Sequence, residues 1–413
     1  MKQPCELFEI SKIIKKFDKA LGCFKIDIRY KTAATITPRT LTVAEAFGLG
    51  IDEAKTHVIY DQIELRISHT DIVYITRESG SGKSVLLQRL EQSLRPQAAN
   101  LNDITINPSQ PIIDTLGKTV KEGLELLSKV GLNDAFLFLR NYAQLSNGQK
   151  YRYRLARLME KTKSQYWVMD EFCSTLDRDT AKIVAFNVQE LARRQNKAVL
   201  AATTHTDLFE DLKPSVHIHK RFGKEVTVSY HPNQPAGSCS LTKKMRIEES
   251  SVGDYRKLAQ FHYRQSKWLP PPKKIFAMKR RDTDELVGMI VYRYPPLSCF
   301  GRNKALSRKK ATAKWLNRNL STISRIVLHP KYRSIGLGFA LVKKTLAQTG
   351  MAYVEAVAMM AKYNPFLEKA GMKKLAVQHL HISLIDAVKK LQSLGVDLIF
   401  MASEKYSLNN FEK

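Results

Sequence analysis

The 413-residue chain lacks a long hydrophobic run. It contains no segment of about 18 uncharged apolar residues, so we expect no membrane-spanning helix. Its first residues, MKQPCELFEISKIIKKFDK, have no uninterrupted apolar segment before a small-residue cleavage site, which argues against a secretory signal. These two absences predict a cytoplasmic location.

Cysteine is also scarce. The chain has five cysteines, an odd number, and they are scattered without a CxxC pair: Cys5, Cys23, Cys173, Cys239 and Cys299. We therefore expect neither a disulfide framework nor a structural zinc site.

Acidic residues are few beside the basic ones, at 39 against 67, which gives a formal charge of +28. Residues 221–413 supply +22 of this charge. Trp268, Phe276 and Trp315 lie within the densest basic segments, 267–281 and 301–319. Aromatic residues among cations are typical of a surface that binds a polyanion with stackable bases, such as nucleic acid. A solvated, solubilising surface is the alternative.

The length of the chain predicts two or three domains. In the first half, apolar runs alternate with helical patterns, as in parallel α/β proteins. The patterns predict a helix at 82–94, a helix-rich insert at about 112–142, and strands at 57–67, 71–76, 165–170 and 197–205.

A polar, turn-rich segment at 229–244 predicts a connection between domains. We place the first domain at 1–230, the linker at 231–243 and the second domain at 244–413. For the second domain the pattern predicts a helix over 246–264 and strands of a mixed sheet at 275–280, 286–295 and 322–330.

The segment RESGSGKS, residues 77–84, matches the phosphate-binding pattern GxxxxGK[ST] except that Arg77 replaces the first glycine. It follows a predicted strand and opens a helix, so free amides and a positive helix end would face phosphates. Lys83 would neutralise the β- and γ-phosphates, and Ser84 would hold Mg²⁺. We assign to the nucleotide Arg77, Ser79, Gly80, Ser81, Gly82, Lys83, Ser84 and Val85. Arg77 is tolerated if its φ stays negative, so we predict a working but altered loop.

Two carboxylates end a downstream apolar strand in WVMDEF. Asp170 would complete the shell of the metal, and Glu171 would orient or deprotonate the attacking water. His205 follows the next apolar strand and would hydrogen-bond the γ-phosphate. Taken singly, these residues could instead be surface carboxylates and a structural histidine.

Six short motifs in this order resemble those of the ABC-type ATPases, over residues 45–210. They are RESGSGKS, Gln110, LSNGQ at 145–149, VMDE at 168–171, STLD at 174–177 and TTH at 203–205. The resemblance identifies them as Walker A, Q-loop, signature, Walker B, D-loop and switch histidine. It implies that ATP and Mg²⁺ bind, with Gln110 also at the metal and Phe47 on the adenine. Since ATP in this family lies between two heads, it also implies a homodimer, in which Ser146, Gly148 and Gln149 meet the partner's γ-phosphate.

A second loop, in RIVLHPKYRSIGLGFALVKKTL at 325–346, carries Arg333, Gly336 and Gly338 at a predicted strand-to-helix turn. Such a turn can cradle a pyrophosphate. With the following segment to EKAGM it resembles the GNAT acyltransferases, over about 244–375, which implies binding of acetyl-CoA or another acyl-CoA. Many members carry a tyrosine that protonates the leaving thiolate where this chain has Leu367. Tyr363 and His329 are the substitutes.

The predicted fold class is therefore α/β: a P-loop ABC ATPase domain with a helical insert, followed by a GNAT-like mixed α/β domain. The leading hypothesis is an ATPase dimer coupled to an acyltransferase that modifies nucleic acid. The alternatives are a nucleic-acid-binding ATPase with a non-catalytic GNAT module, a GNAT enzyme acting on a protein or small amine, and the ATPase subunit of a transporter.

Overall fold

The computed structural model describes residues 8–9, 14–18, 23–32, 36–49, 55–77, 83–161, 163–221, 223–262, 269–299, 301–307, 312–358, 364–375, 382–397, 400 and 403–411. Within these ranges no helix is both long enough and apolar enough to cross a membrane.

The chain begins with a small antiparallel sheet in which β3 pairs with β1, β2 and β4. Its apolar side chains face the central sheet and helix α2, so they extend the core of the first half. The elements are β1 (Phe8–Glu9), β2 (Ile14–Asp18), β3 (Cys23–Thr32), α1 (Pro38–Ala46) and β4 (Lys55–Leu65).

A six-stranded sheet forms the centre of the first half, in the order β10-β9-β5-β8-β7-β6. All neighbouring strands are parallel except the edge strand β10. Every residue of β7 and β8 is buried, as expected for central parallel strands covered on both faces. These elements are β5 (Ile72–Arg77), α2 (Lys83–Leu94), β6 (Ala98–Asn100), β7 (Tyr166–Met169), α6 (Arg178–Arg194), β8 (Ala198–Thr203), α7 (Phe209–Leu212), β9 (Val216–Lys220) and β10 (Val226–Tyr230).

The predicted helix-rich insert is confirmed between β6 and β7. It contains α3 (Val120–Lys129), α4 (Ala135–Phe138) and α5 (Asn147–Glu160). Ser146 caps α5, accepting from the Gln149 amide while the Gln149 side chain accepts from the Ser146 amide. This reciprocal capping satisfies two amide donors and fixes where α5 begins.

The second half has a five-stranded sheet in sequential order, antiparallel from β11 to β14 and parallel between β14 and β15. Helix α11 makes the crossover between the parallel pair. The elements are α8 (Ser240–Lys243), β11 (Met245–Glu249), α9 (Val252–Leu258), β12 (Pro272–Arg280), β13 (Leu286–Arg293), α10 (Ala313–Asn319), β14 (Leu320–Leu328), α11 (Leu337–Thr345), β15 (Tyr353–Ala356), α12 (Phe366–Lys369), α13 (Ile382–Ser393) and α14 (Glu404–Phe411).

The helix predicted over 246–264 does not begin at residue 246, so this prediction was wrong for its first residues. Met245 and Ile247 alternate with charged residues and pack into the core, and the whole segment pairs with β12 as an edge strand. The helix begins only at Val252, where the Ser251 hydroxyl accepts from the Asp254 amide. Local helical spacing was outweighed by cross-strand pairing.

The connection between β10 and β11 is packed against the first half. Cys239 and Leu241 are fully buried, and the Asp211 carboxylate accepts hydrogen bonds from the amide and hydroxyl of Ser240 at 2.7 and 2.6 Å. The linker at 231–243 and the flanking domain boundaries stay predictions.

Helix α6 joins the two halves because it is buried on two faces. Ala181, Val184 and Val188 belong to the core of the first half. Ile183 and Phe186 belong instead to the apolar cluster of the second half. The halves therefore share one continuous apolar contact.

Replacing Ile183 with alanine removes buried apolar volume from this contact. We expect the free energy of unfolding to fall by about 2–5 kcal/mol, measured by urea denaturation. The matched control Ile183→Val should cost only about 0.5–1.5 kcal/mol. Equal effects of the two substitutions would show that the α6 contact does not stabilise the protein.

Candidate nucleotide-binding site

Lys83, Asp170, Glu171 and His205, four of the predicted site residues, follow strands that end at the carboxyl-terminal edge of the central sheet. Strand β8 lies between β5 and β7, with Thr76 beside Thr203 and Met169 beside Ala201. The segments that leave the carboxyl ends of these three strands are therefore neighbours, and ligands of open α/β sheets bind at such an edge.

The N-terminus of α2 supplies the charged part of this edge. Lys83 is the first residue of the helix and is only 6% exposed. Ser84 and Val85 follow in the first turn and are partly buried. The predicted phosphate-binding residues Ser79, Gly80, Ser81 and Gly82 lie outside the described residues, and so does the side chain of Arg77.

The chain turns sharply after β7, where Asp170 and Glu171 stand. The Glu171 amide donates to Asp170 Oδ1 at 2.9 Å, and the Phe172 amide donates to the Ala202 carbonyl at 2.7 Å. Glu171 and Cys173 have positive φ angles of 50° and 58°. Left-handed backbone in residues other than glycine persists only where surrounding bonds enforce it, as at many functional sites.

Tyr151 supplies one of these enforcing bonds. Its hydroxyl accepts from the Cys173 amide at 2.8 Å. Burial raises the pKa of Tyr151 well above its usual value, so the hydroxyl stays protonated. Because Tyr151 lies on α5, the bond ties the LSNGQ helix to the loop carrying Glu171. Sequence analysis missed Tyr151, since no local pattern shows where its hydroxyl points.

His205 lies beside the same loop. Burial first, and then the positive charges of Arg178 and Lys83, lower its pKa, while a bond to the Ser174 backbone and the charge of Asp207 act in the opposite direction. The net pKa lies below the usual value, so the imidazole is neutral at pH 7. The Tyr74 hydroxyl donates to the His205 carbonyl and holds its backbone.

Arg178 and Asp207 form an ion pair next to His205, with Nε and Oδ2 3.0 Å apart. Burial alone would raise the pKa of Asp207, but the hydrogen bond and charge of Arg178 lower it overall. The pair connects the end of the STLD segment to the segment after β8. Sequence analysis missed this pair as well.

The start of α5 is an exposed helix N-terminus. Ser146 is exposed and Gly148 partly so. A Cβ atom added to Gly148 would lie 3.7 Å from a Leu176 methyl carbon and 3.8 Å from the Thr175 carbonyl, so the helix start rests against STLD. An exposed N-terminus of a 14-residue helix is suited to an anion.

Gln110 and Phe47 stand apart from these contacts. Gln110 is exposed in the turn before Pro111, and Phe47 is 76% exposed at the end of α1. Their assignments to the metal and to the adenine stay predictions.

The donor set suits Mg²⁺ bound together with a nucleotide. Among the described residues there is no cluster of three or more His, Cys, Asp or Glu side chains that could hold a metal ion. Mg²⁺ is usually held by one or two carboxylates together with substrate phosphates, not by an all-protein cage. The Ser84 hydroxyl and the Asp170 carboxylate are donors of the kind that this arrangement needs, and the part of Gln110 in it stays a prediction.

The sheet is parallel, a buried lysine stands at the helix N-terminus after β5, and adjacent carboxylates follow β7, on the other side of β8 from β5. These features define a nucleotide-binding domain of the P-loop class. Comparisons narrow the class. No protein-family model matches the chain. Among curated proteins, the chain is 29% identical over 164 residues to the cytochrome c biogenesis ATP-binding export protein CcmA of Gluconobacter oxydans, which covers 37% of this chain and 76% of that protein.

The chain is also 36% identical over 101 residues to the methionine import ATP-binding protein MetN of Streptococcus pyogenes. That alignment covers 24% of this chain and 27% of MetN. The dimeric ATP-binding cassette MJ0796, solved with ADP and Pi, has a TM-score of 0.35 at 17% identity, over 43% of this chain and 92% of that structure. No conclusion rests on so low a TM-score. The curated relatives show an ABC ATPase-like domain over about 40% of the chain and support an ATPase activity.

Removing the Tyr151 hydroxyl tests the bond that holds the loop carrying Glu171. Tyr151→Phe leaves the buried Cys173 amide without its acceptor, which should cost about 1–3 kcal/mol of unfolding free energy. We also expect kcat for ATP hydrolysis to fall, because the Glu171 loop loosens.

Tyr153→Phe is the matched control. Its hydroxyl contacts Thr115, on the side away from the loop. This variant should lose stability and keep its kcat. An equal fall of kcat in both variants would contradict the role of Tyr151.

Proposed function

We propose that this protein is an ATP-hydrolysing ABC-type ATPase coupled to an acyl-CoA-dependent, GNAT-like acyltransferase that acts on nucleic acid in the cytoplasm. The observation that carries the ATPase half is the meeting of Lys83, Asp170, Glu171 and His205 at one sheet edge.

In this proposal the amides at the start of α2 and the Lys83 ammonium bind the phosphates of ATP. Ser84, Asp170 and Gln110 would hold a Mg²⁺ ion, and the chemistry that the ion would supply is neutralisation of developing phosphate charge. The Glu171 carboxylate orients a water molecule and accepts its proton. His205 hydrogen-bonds the γ-phosphate, whose negative charge favours the protonated imidazole.

The ATPase heads would pair as a homodimer. The exposed N-terminus of α5, with Ser146, Gly148 and Gln149, would complete the site of a second copy. An anion held between two chains at a helix N-terminus would join them only while ATP is bound.

The second half supports the acyltransferase proposal through the geometry of β14 and β15. Their described pairing runs only from Leu320 beside Tyr353 to Ile323 beside Ala356, whereas β14 continues to Leu328. A register shift against β13 inserts Ser324 as a bulge where this pairing ends. The described pairing with β15 thus ends before the last part of β14, from Ser324 to Leu328, and we place the extended ligand at that end of the sheet.

Gly336 and Gly338 open α11 at this point. Gly336 has a φ of 82°, is exposed and caps the helix, and a Cβ added there meets nothing within 4 Å. An exposed helix N-terminus of this kind is suited to a pyrophosphate.

Arg333 has other partners in this structure. Its guanidinium donates to the carbonyls of Leu328, Asn133 and Phe261 at 3.0, 2.5 and 3.1 Å. Burial lowers the pKa of Arg333, but the group stays charged. The amides of α11 would therefore contribute more to pyrophosphate binding than Arg333 does.

The source of the proton for the leaving thiolate stays a prediction. Leu367 is buried in the core at 7% exposure and cannot donate a proton. Tyr363 lies outside the described residues. His329 packs edge-on against Phe261 at 4.7 Å between ring centroids, and its Nδ1 accepts from the Lys331 amide at 3.3 Å. Burial lowers its pKa, so the ring is neutral at pH 7.

A basic surface with aromatic rings supports a nucleic-acid substrate. The Trp315 ring lies 5.9 Å from that of Tyr353, and Lys273 Nζ lies 5.5 Å from the centre of the Tyr294 ring. Lys273 Nζ also donates to the Asn317 carbonyl at 2.7 Å, which joins these residues into one surface. Exposed Lys314 and Arg318 flank it. Stacking rings beside cations suit single-stranded nucleic acid.

Phe276 does not contribute to this surface. The sequence placed it among the stacking candidates, but it is 2% exposed in the core of the second half. Residues of β12 alternate between the two faces of the sheet, and Phe276 lies on the face that packs into this core. Trp268 lies outside the described residues.

Two other functions compete with this proposal. Buried Leu367 and the engaged Arg333 favour a nucleic-acid-binding ATPase whose GNAT-like half is a binding module without catalysis. The names of the relatives, an export and an import ATP-binding protein, favour the ATPase subunit of a transporter. Co-purification with a membrane protein would support the transporter function.

Glu171→Gln tests the ATPase half. The amide keeps the shape of the side chain and cannot take a proton from water, so ATP binding should remain and turnover should stop. Light scattering after size exclusion at saturating Mg-ATP should show a dimer, because ATP is no longer consumed. The control Glu225→Gln changes an exposed carboxylate and should keep wild-type turnover. A monomeric Glu171→Gln variant would argue against the sandwich.

Incubation with labelled acetyl-CoA, ATP, Mg²⁺ and either DNA or tRNA tests the acyltransferase half. We expect the label in nucleic acid. Gly336→Glu should abolish transfer by placing a carboxylate at the pyrophosphate site, without loss of ATPase activity.

The matched control is Gly350→Glu, which adds the same charge at another exposed glycine with a φ of 70°. It should transfer label normally, and equal loss in both variants would refute the assignment of the cradle. Label on a protein or small amine would refute the nucleic-acid acceptor. A protein stabilised thermally by Mg-ATP but not by millimolar acetyl-CoA would favour the binding-module function.

A further inference from the structure

The segment that follows β14, residues 329–336, contacts the ATPase half at two places. We call it the docking segment. Asn133, in the helical insert, donates to the Pro330 carbonyl at 3.3 Å and accepts from Arg333 at its own carbonyl. On α6, the Asn187 side chain donates to the Ser334 hydroxyl at 2.9 Å. The docking segment is thus anchored to both the insert and the helix behind the catalytic loop.

Lys331 is the charged centre of this contact. Its Nζ lies 3.0 Å from Asp177 Oδ1 and 2.9 Å from Asp179 Oδ2. Arg280, also from the second half, lies 2.6 Å from the same Asp179 oxygen. Burial alone would lower the pKa of Lys331, but its bonds to the two carboxylates raise it overall, so the ammonium stays charged.

Asp177 connects the Lys331 ammonium to the candidate nucleotide-binding site. It is the last residue of STLD and caps α6, its carboxylate accepting from the Thr180 amide at 3.2 Å and hydroxyl at 2.6 Å. Burial alone would raise the pKa of Asp177, but bonds from Thr180 and Lys331 lower it, so it is ionised. Lys331 thereby binds one end of the loop that begins at Glu171.

The loop between these ends is short and internally bonded. The Ser174 amide donates to the Glu171 carbonyl at 3.0 Å, and the Ser174 backbone also bonds the His205 ring. A displacement of Asp177 would therefore be transmitted through only a few residues to both Glu171 and His205. Because the Asp177 side chain is 57% exposed, the ion pair between Lys331 and Asp177 adds little to stability, and we expect its effect to be on the position of Asp177.

We propose that Lys331, although it lies in the second half of the chain, is a positioning residue for ATP hydrolysis, and that through it the second half controls the geometry of the loop from Glu171 to Asp177. The inference rests on the ATPase activity proposed above and does not depend on acyl transfer.

The test compares steady-state ATP hydrolysis by the full-length wild-type protein and by its full-length Lys331→Met variant. We expect kcat to fall about three- to tenfold with an unchanged KM for ATP, since small misplacements of catalytic groups slow the chemical step. Lys331→Arg should restore most of the rate because it restores the charge. The control Lys343→Met, on α11 with its ammonium over Phe339, should behave as wild type.

An unchanged kcat in a folded Lys331→Met variant would overturn the proposal, as would a fall that Lys331→Arg does not rescue. If Lys331→Met does not fold, Asp177→Asn gives the test from the ATPase side, because the amide oxygen can still cap α6 but no longer carries the charge that pairs with the ammonium. It should show the same fall of kcat, and wild-type kcat would overturn the proposal. A wild-type protein without ATPase activity would contradict both this inference and the proposed function, whereas active Lys331→Met contradicts the inference alone.

Discussion

The burial of helix α6 on two faces is the constraint on which the rest of the structure depends. One face packs into the core of the nucleotide-binding half through Ala181, Val184 and Val188, and the other packs into the second half through Ile183 and Phe186. The helix cannot shift against one half without disturbing the other, because close-packed interiors do not deform smoothly. Because α6 begins directly after STLD, its packing also fixes the position of Asp177, the last residue of the loop that begins at Glu171.

The loop from Glu171 to Asp177 is held mainly by hydrogen bonds to its backbone. The Tyr151 hydroxyl accepts from the Cys173 amide and the Ala202 carbonyl accepts from the Phe172 amide. These two bonds hold the chain directly after the left-handed Glu171. Charge acts beside this loop, where burial, Arg178 and Lys83 lower the pKa of His205. The backbone around Glu171 is therefore held by hydrogen bonds, and in the proposed function a phosphate beside His205 would change the electrostatics of the site.

The second half uses one segment for two purposes. Residues 329–336 lead into the helix N-terminus proposed for a pyrophosphate, and they also bind the insert and α6. The sequence predicted that Arg333 binds the ligand. Its guanidinium instead donates to three backbone carbonyls, and one of them, that of Asn133, belongs to the ATPase half. A ligand at Gly336 and a nucleotide at Glu171 would thus act on adjoining residues of one contact, and linkage between two such sites is reciprocal.

The sequence by itself determined the order of the motifs, the central strands, the helical insert and the capped start of α5, because apolar periodicity and capping are local chemistry. Only the tertiary structure decided that residues 245–249 form an edge strand and that Phe276 is buried. It also decided that Tyr151 bonds the Cys173 amide, that Arg178 pairs with Asp207, and that Lys331 pairs with Asp177. Each of these depends on contacts between residues far apart in the chain. Such contacts leave no periodic trace in the sequence, since a hydroxyl or ammonium acquires its role from the partner that folding brings to it.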